Sequence, residues 1–250
     1  MFRKCDHPAM LEGLRAKLPA LADVVVVRDS GALTWEQVTS GPPVDEAALP
    51  AVDPAAVVIA MYTSGTTGKP KGVLHTHLSY GHRVRAMAQS YPITDTDVVF
   101  MPSPVTHITG AIWAFDMPWI AGNVSVLMDV WSPTEGIECI ESNGCTVTGG
   151  ATPFLQQMLD IAGNTPQRLA SLRLFFCGGT TVSPDLIMRA NRTIPGALFF
   201  RAYGSTEMLT ATLGIRNRCE AKFGAETDGK VVYPVEMRLI DATTDEPVRQ

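Results

Sequence analysis

Short β-branched and aromatic runs recur along this chain, separated by longer stretches that open on helix-capping residues. That alternation restricts the fold more than any other feature. Strands are predicted at Val57–Tyr62 (VVIAMY), Asp97–Met101, Asn123–Met128, Cys145–Thr148, Leu172–Cys177 (LRLFFC) and Ala197–Ala202. Helices are predicted over His77–Ser90 and over His107–Ala121 despite Pro118. Others start at Thr152-Pro153, at the capping triplet Ser183-Pro184-Asp185 and at Ser132-Pro133-Thr134-Glu135, which has capping-box spacing with Pro at the first helical position. Strand–helix repetition of this kind predicts an α/β fold, a mainly parallel sheet with helices on both faces. Val57–Tyr62 is apolar without alternation and reads as a strand buried on both sides. Upstream, Pro8–Lys17 reads as a short helix, Asp23–Arg28 as a strand and Ser40–Pro54 as a loop. Near the other end, Val231–Asp241 (VVYPVEMRLID) is strand-like with no helix behind it. The expected organisation is an α/β core over residues 1–209 and the start of a β-rich subdomain over 210–250.

Composition narrows the partners. With 46% hydrophobic residues in 250, the chain can bury a substantial core. Twenty Lys+Arg against 25 Asp+Glu give a net charge of −5, which leaves no basic footprint for nucleic acid. No apolar run approaches the roughly 18–20 residues of a membrane-crossing helix, and the opening MFRKCDHPAM lacks the apolar stretch of a secretory signal. Five scattered cysteines (Cys5, Cys139, Cys145, Cys177, Cys219) without a C-x-x-C pair fit reduced thiols in a cytoplasm. They argue against a disulfide framework or a zinc site.

The segment richest in chemistry is Tyr62–Gly72, YTSGTTGKPKG. It follows a predicted strand and packs three glycines, four Ser/Thr hydroxyls and two lysines into eleven positions. Glycines at Gly65 and Gly68 let backbone N–H groups turn toward an anion. The hydroxyls of Ser64, Thr66 and Thr67 add donors, and Lys71 supplies a mobile point charge suited to phosphate. Pro70 biases Lys69 away from helix. The Walker pattern is excluded, because it needs four residues between its glycines and Ser or Thr after the lysine. A solvated Gly/Thr turn between two strands is the other reading of the same residues.

YTSGTTGKPKG resembles the phosphate-loop signature of the adenylate-forming superfamily: acyl-CoA synthetases, adenylation domains of peptide synthetases, and luciferases. Three further stretches resemble that family in the same order: SPVTHITG (Ser103–Gly110), FFCGGTTVSP (Phe175–Pro184) and AYGSTE (Ala202–Glu207). The resemblance implies that Thr63–Lys71, with Thr63, Ser64, Gly65, Thr66, Thr67, Gly68 and Lys71, hold the β- and γ-phosphates of ATP. It implies that Gly178, Gly179 and Thr180 line the adenine, Tyr203 stacks on it, and Gly204 and Ser205 belong to the same nucleotide motif. Thr206 then meets the α-phosphate, and Glu207 coordinates Mg²⁺, with Thr63 a weaker candidate ligand. His107 is placed at the wall of the acyl site, with Thr109 and Trp113 beside it. On their own residues, His107 is equally a capping group, Trp113 and Tyr203 core residues, Gly178-Gly179 an ordinary turn and Glu207 a helix-cap acid. His75, His77 and His82 lack a cysteine or paired acid beside them and read as a polar helix face.

The family's reaction joins a carboxylic acid to ATP and passes the acyl-adenylate to a thiol, usually that of coenzyme A. It needs fixed donors, a cation and a metal, and no protein nucleophile. Amino-acid-activating relatives carry a Phe-Asp pair for the substrate ammonium. The counterpart here is His107-Ile108, and Phe115-Asp116 falls about two turns on, which favours a plain carboxylic acid. An amino-acid adenylation domain and a non-catalytic nucleotide-binding module stay as alternatives. Only 61 residues precede the phosphate loop. The family's first lobe, ribose-binding acid, hinge and C-terminal lysine domain find no counterpart. The expectation is therefore a core piece that binds nucleotide weakly and exposes apolar surface, inviting a homo-oligomer.

Overall fold

The computed structural model describes residues 6–27, 33–64 and 68–248. It divides into two compact units, Met1–Val52 and Asp53–Gln250. In the first, α1 (His7–Leu14) is capped by the Asp6 carboxylate, which accepts from the Ala9 N–H. Strands β1 (Val25–Val26) and β2 (Leu33–Thr34) pair in parallel. A capping box between Thr34 and Gln37 then starts α2 (Trp35–Thr39).

The second unit is built on five parallel strands: β5 (Val98–Met101), β6 (Val124–Leu127), β7 (Val147–Gly150), β8 (Leu174–Cys177) and β9 (Leu198–Arg201), in the order β6-β5-β7-β8-β9. Helices α6 (Pro133–Asn143), α7 (Thr152–Ala162) and α8 (Pro184–Thr193) form the crossovers. Each has Pro in its first turn, where the missing N–H costs nothing. Successive strand residues point to opposite faces. Val99, Met101, Leu174, Phe176 and Phe200 pack with α3 (His77–Ser90), Trp113 and Met117. Phe100, Phe175, Cys177 and Phe199 pack with Ile137, Ile140, Leu155, Leu159 and Ile187 on the other side. Two dry cores therefore sandwich the sheet, as the alternation predicts. Asn191 of α8 is buried and stitches helix to sheet, donating to Ile187 O and Phe199 O and accepting from Phe199 N–H.

Three expectations need correction. Val57–Tyr62 belongs to β3 (Val57–Thr63), which pairs antiparallel with β4 (Lys71–Thr76) and is largely exposed, Tyr62 at 78%. The residues between the two strands are too few for a parallel crossover, so the chain can only reverse. The helix expected over His107–Ala121 is α4 (Ile108–Ala111), a π turn (Ile112–Asp116) and α5 (Met117–Ala121). Pro118 cannot donate to the carbonyl one turn back, and the wider turn falls just before it. From Val231–Asp241 only Val231 joins a strand, β12 (Lys230–Val231), because Pro234 soon removes a ladder donor. β12 is the last strand of a small antiparallel sheet with β10 (Tyr203–Ser205) and β11 (Leu209–Leu213).

The amino edge of the large sheet is closed by one carboxylate. Buried Asp97, just before β5, accepts from Thr94 N–H, from the Thr146 hydroxyl at 2.6 Å, and from Arg173 Nε and Nη2 at 2.8 and 2.7 Å. Thr146 and Arg173 immediately precede β7 and β8, so three strands are tied at one point. Burial pushes the Asp97 carboxyl up, but the hydrogen bonds from Arg173, Thr146 and Thr94 and the Arg173 charge outweigh it, and its pKa lies below the usual carboxylate range. A depressed native pKa contributes stability above the unfolded value, lost as pH falls through the native one. Asp97→Asn is expected to lower stability at neutral pH by about 2–3 kcal/mol. It should also flatten the loss of stability below roughly pH 4. Urea midpoints measured across that range check this; parallel profiles for both proteins would contradict it.

Candidate functional site

In this strand order β5 stands between β6 and β7, so the chain leaves β5 to one side and returns to the other. The carboxyl ends of the strands at such a reversal are the usual ligand position in open α/β sheets. SPVTHITG follows β5, the Gly-Gly-Thr-Thr loop follows β8 and AYGSTE begins at the end of β9. The loops meet at backbone distance. Gly178 N–H donates to Gly150 O, and Ala202 N–H to Cys177 O. A Cβ on Gly178 would lie 2.4 Å from the Ala202 carbonyl oxygen. Glycine is therefore needed at 178 to let the β8 and β9 loops touch. The Thr152 hydroxyl, at the start of α7, is 2.8 Å from that of Thr180 and donates to Thr181 O. The sequence marks Thr152 only as a helix start. Its signal is the Gly149-Gly150 pair just ahead of it, at a strand's carboxyl end.

The phosphate-loop segment is the tip of the β3–β4 hairpin, with Thr63 opposite Lys71. Ser64 is exposed, and Gly68 has a left-handed φ of +81°. Gly65, Thr66 and Thr67 lie outside the described residues. Along β4, Lys71, Val73 and His75 share one face. His75 is on this strand and buried, not on the polar helix face with exposed His77 and His82. Its Nε2 lies 2.7 Å from the carbonyl oxygen of Thr206. This bond joins the phosphate-loop hairpin to the turn Thr206–Met208 between β10 and β11. In that turn the fully exposed Glu207 carboxylate is held below its ordinary range by its own backbone N–H and the Ser205 hydroxyl, with the Lys71 and His75 charges adding to the effect. Among the described residues no three His, Cys, Asp or Glu cluster as metal ligands. A lone exposed carboxylate suits a hard cation that keeps waters and takes further oxygens from phosphates.

The remaining residues are placed as follows. His107 caps α4, its Nδ1 accepting from Thr109 N–H at 3.2 Å, and desolvation holds its pKa below the usual imidazole range. Thr109 is half-buried in the first turn. Trp113 is 2% exposed and stacked on Phe176 with centroids 4.6 Å apart. Phe176 fits because Gly149 beneath it has no side chain; a Cβ there would be 2.4 Å from the ring. Tyr203 is half-exposed, its N–H bonded to the Thr212 hydroxyl. Gly204 packs against the Leu209 carbonyl, and Gly179 has a φ of +79° with open space around it. Asp116, the acid of the Phe115-Asp116 pair, accepts from the Tyr80 hydroxyl at 2.7 Å. No helix among the described residues is long and apolar enough to cross a membrane.

The AMP-binding enzyme family matches residues 1–250. Over 181 residues the chain is 34% identical to the medium-chain fatty-acid–CoA ligase of Escherichia coli, a match spanning 72% of this chain and 31% of that relative. It is 28% identical over 250 residues to 4-coumarate–CoA ligase 1 of Narcissus pseudonarcissus, spanning 95% of this chain and 45% of the relative. The chain therefore spans about a third to a half of the length of these two relatives. The luciferase-like enzyme of the nonluminescent mealworm Zophobas morio shares the fold, with a TM-score of 0.80 at 21% identity over 96% of this chain and 57% of that one. The motif segments that the fold gathers at the sheet's carboxyl edge lie within a match that runs the whole length, and the chain belongs to the AMP-binding enzyme family.

Proposed function

We propose that this chain carries the nucleotide- and acid-binding part of an acid–CoA ligase. Such an enzyme uses ATP to convert a carboxylic acid to an acyl-adenylate, and then to a coenzyme A thioester. The observation that carries this reading is the 2.7 Å His75–Thr206 bond, which joins the phosphate-loop hairpin to the turn that carries Glu207. The names of the matched ligases support the reaction class.

The chemical obstacle is the approach of two anions. Unit charges about 4 Å apart repel by roughly 1 kcal/mol in water and about 4 kcal/mol at an effective dielectric of about 20. The residues answer that obstacle in parts. Thr63, Ser64, Gly65, Thr66, Thr67, Gly68 and Lys71 hold the β- and γ-phosphates through backbone N–H groups, hydroxyls and one ammonium. Thr206 meets the α-phosphate. Glu207, with Thr63 as a weaker ligand, would hold Mg²⁺, which neutralises phosphate charge when bound. Gly178, Gly179 and Thr180 border the base, Tyr203 offers its half-exposed ring, and Gly204 and Ser205 shape the turn. His107 and Thr109 border the acid, with Trp113 in the packed layer behind. The substrate supplies the attacking oxygen, so no side-chain nucleophile is required.

A plain carboxylic acid is favoured over an amino acid because Asp116, the one acid between His107 and Ala121, already accepts from the Tyr80 hydroxyl. Lys71→Ala is expected to weaken ATP·Mg²⁺ binding by about 10- to 100-fold. The melting temperature should hold, because Lys71 is exposed. Titration calorimetry checks both, and unchanged affinity would remove the phosphate-loop assignment. Pyrophosphate release across a panel of aliphatic, aromatic and amino acids is expected only with acids lacking an ammonium. Turnover of amino acids alone would favour the peptide-synthetase reading.

A further inference from the structure

His75 has a use that no motif assigns. We propose that it is a positioning residue. By bonding the Thr206 carbonyl it fixes the turn Thr206–Met208 so that Glu207 stays within reach of the Lys71 side of the hairpin, and the bond thereby sets the metal-dependent part of nucleotide affinity. This inference rests on the reading of Lys71 and Glu207 given above.

Four observations support it. His75 is only 6% exposed, and a carbonyl can only accept, so Nε2 carries the proton and donates across the gap. Among the described residues, this is the one hydrogen bond reaching the turn from outside the β10–β11 hairpin. The Met208 N–H to Ser205 hydroxyl bond is internal to it. The turn exits through Leu209, a buried bulky residue at φ +62°, a conformation that persists only where surrounding contacts over-determine it. Finally, the imidazole is held in place from the side. The Tyr80 ring lies 5.9 Å away at 45°, itself anchored through its hydroxyl to Asp116.

Glu207 is the middle residue of the turn Thr206–Met208, so its carboxylate goes where the turn goes. Releasing the turn should therefore affect the metal-holding carboxylate and spare the phosphate grip of the hairpin.

The test measures ATP affinity by calorimetry with Mg²⁺ and with EDTA, for the unmodified chain and for His75→Leu, His75→Gln, His75→Asn, Glu207→Gln and Lys71→Ala. His75→Leu is expected to leave metal-free affinity within about twofold and to erase about tenfold of the Mg²⁺-dependent gain. Glu207→Gln should do the same, and the double variant should be no worse than Glu207→Gln alone. His75→Gln, whose amide nitrogen reaches the Nε2 position, should restore the gain, and the shorter His75→Asn should not. If His75→Leu does not fold, the Gln–Asn pair decides. An intact Mg²⁺-dependent gain in His75→Leu, equal loss with and without metal, or Asn serving as well as Gln would overturn the proposal. Lys71→Ala separates the two layers. No loss there refutes the phosphate-loop reading itself, whereas a loss there beside an unaffected His75→Leu refutes only the role of His75.

Discussion

A parallel sheet covered by helices on both faces can meet a ligand only at the ends of its strands, and one of those ends is closed here. Asp97, held by Thr94, Thr146 and Arg173, fills the amino edge with a fully bonded carboxylate. A buried acid with that many donors is stable only as a set, since removal of any partner leaves charge or dipole uncompensated. The carboxyl edge carries the opposite design. Glycine brings the β8 and β9 loops backbone to backbone, and the Thr152 and Thr180 hydroxyls meet beside the strand-order reversal. The bonded carboxylate and the glycine-lined loops stand at opposite ends of the same five strands.

The alternation of strand and helix was legible because each element carries a local signal: apolar runs for the strands, Ser/Thr-Pro starts for the helices. What the sequence hid were features set by neighbours. Val57–Tyr62 looks like a doubly buried strand because an apolar run states only what a strand could bury, and the tight reversal beyond it decides otherwise. The π turn before Pro118 follows from one missing N–H within an otherwise helical pattern. The strand expected through Asp241 stops after Val231, because periodicity does not register the loss of a donor at Pro234.

At the site, glycine-rich segments could be picked out one by one, since glycine and hydroxyl clusters stand out in any sequence. Their mutual contacts could not. His75 was grouped with His77 and His82 by spacing, yet a strand end falls between them and gives it a different partner. Thr152 had no distinguishing neighbour beyond two glycines, and its bonds to the 180–181 loop exist only once β7 and β8 lie side by side. The Phe176 ring over Gly149 likewise joins two strands that no local pattern connects.

The Asp97 cluster also bears on how the chain is made. Its members come from three stretches, Thr146 following the acid by 49 residues and Arg173 by 76. During synthesis, at roughly 5–20 residues per second, β5 and β6 emerge well before the guanidinium that neutralises the acid beside them. Until Thr146 and Arg173 follow, the acid lacks three of the four hydrogen bonds it accepts in the folded sheet. The guanidinium that offsets this buried charge is thus the last part of the cluster to be made.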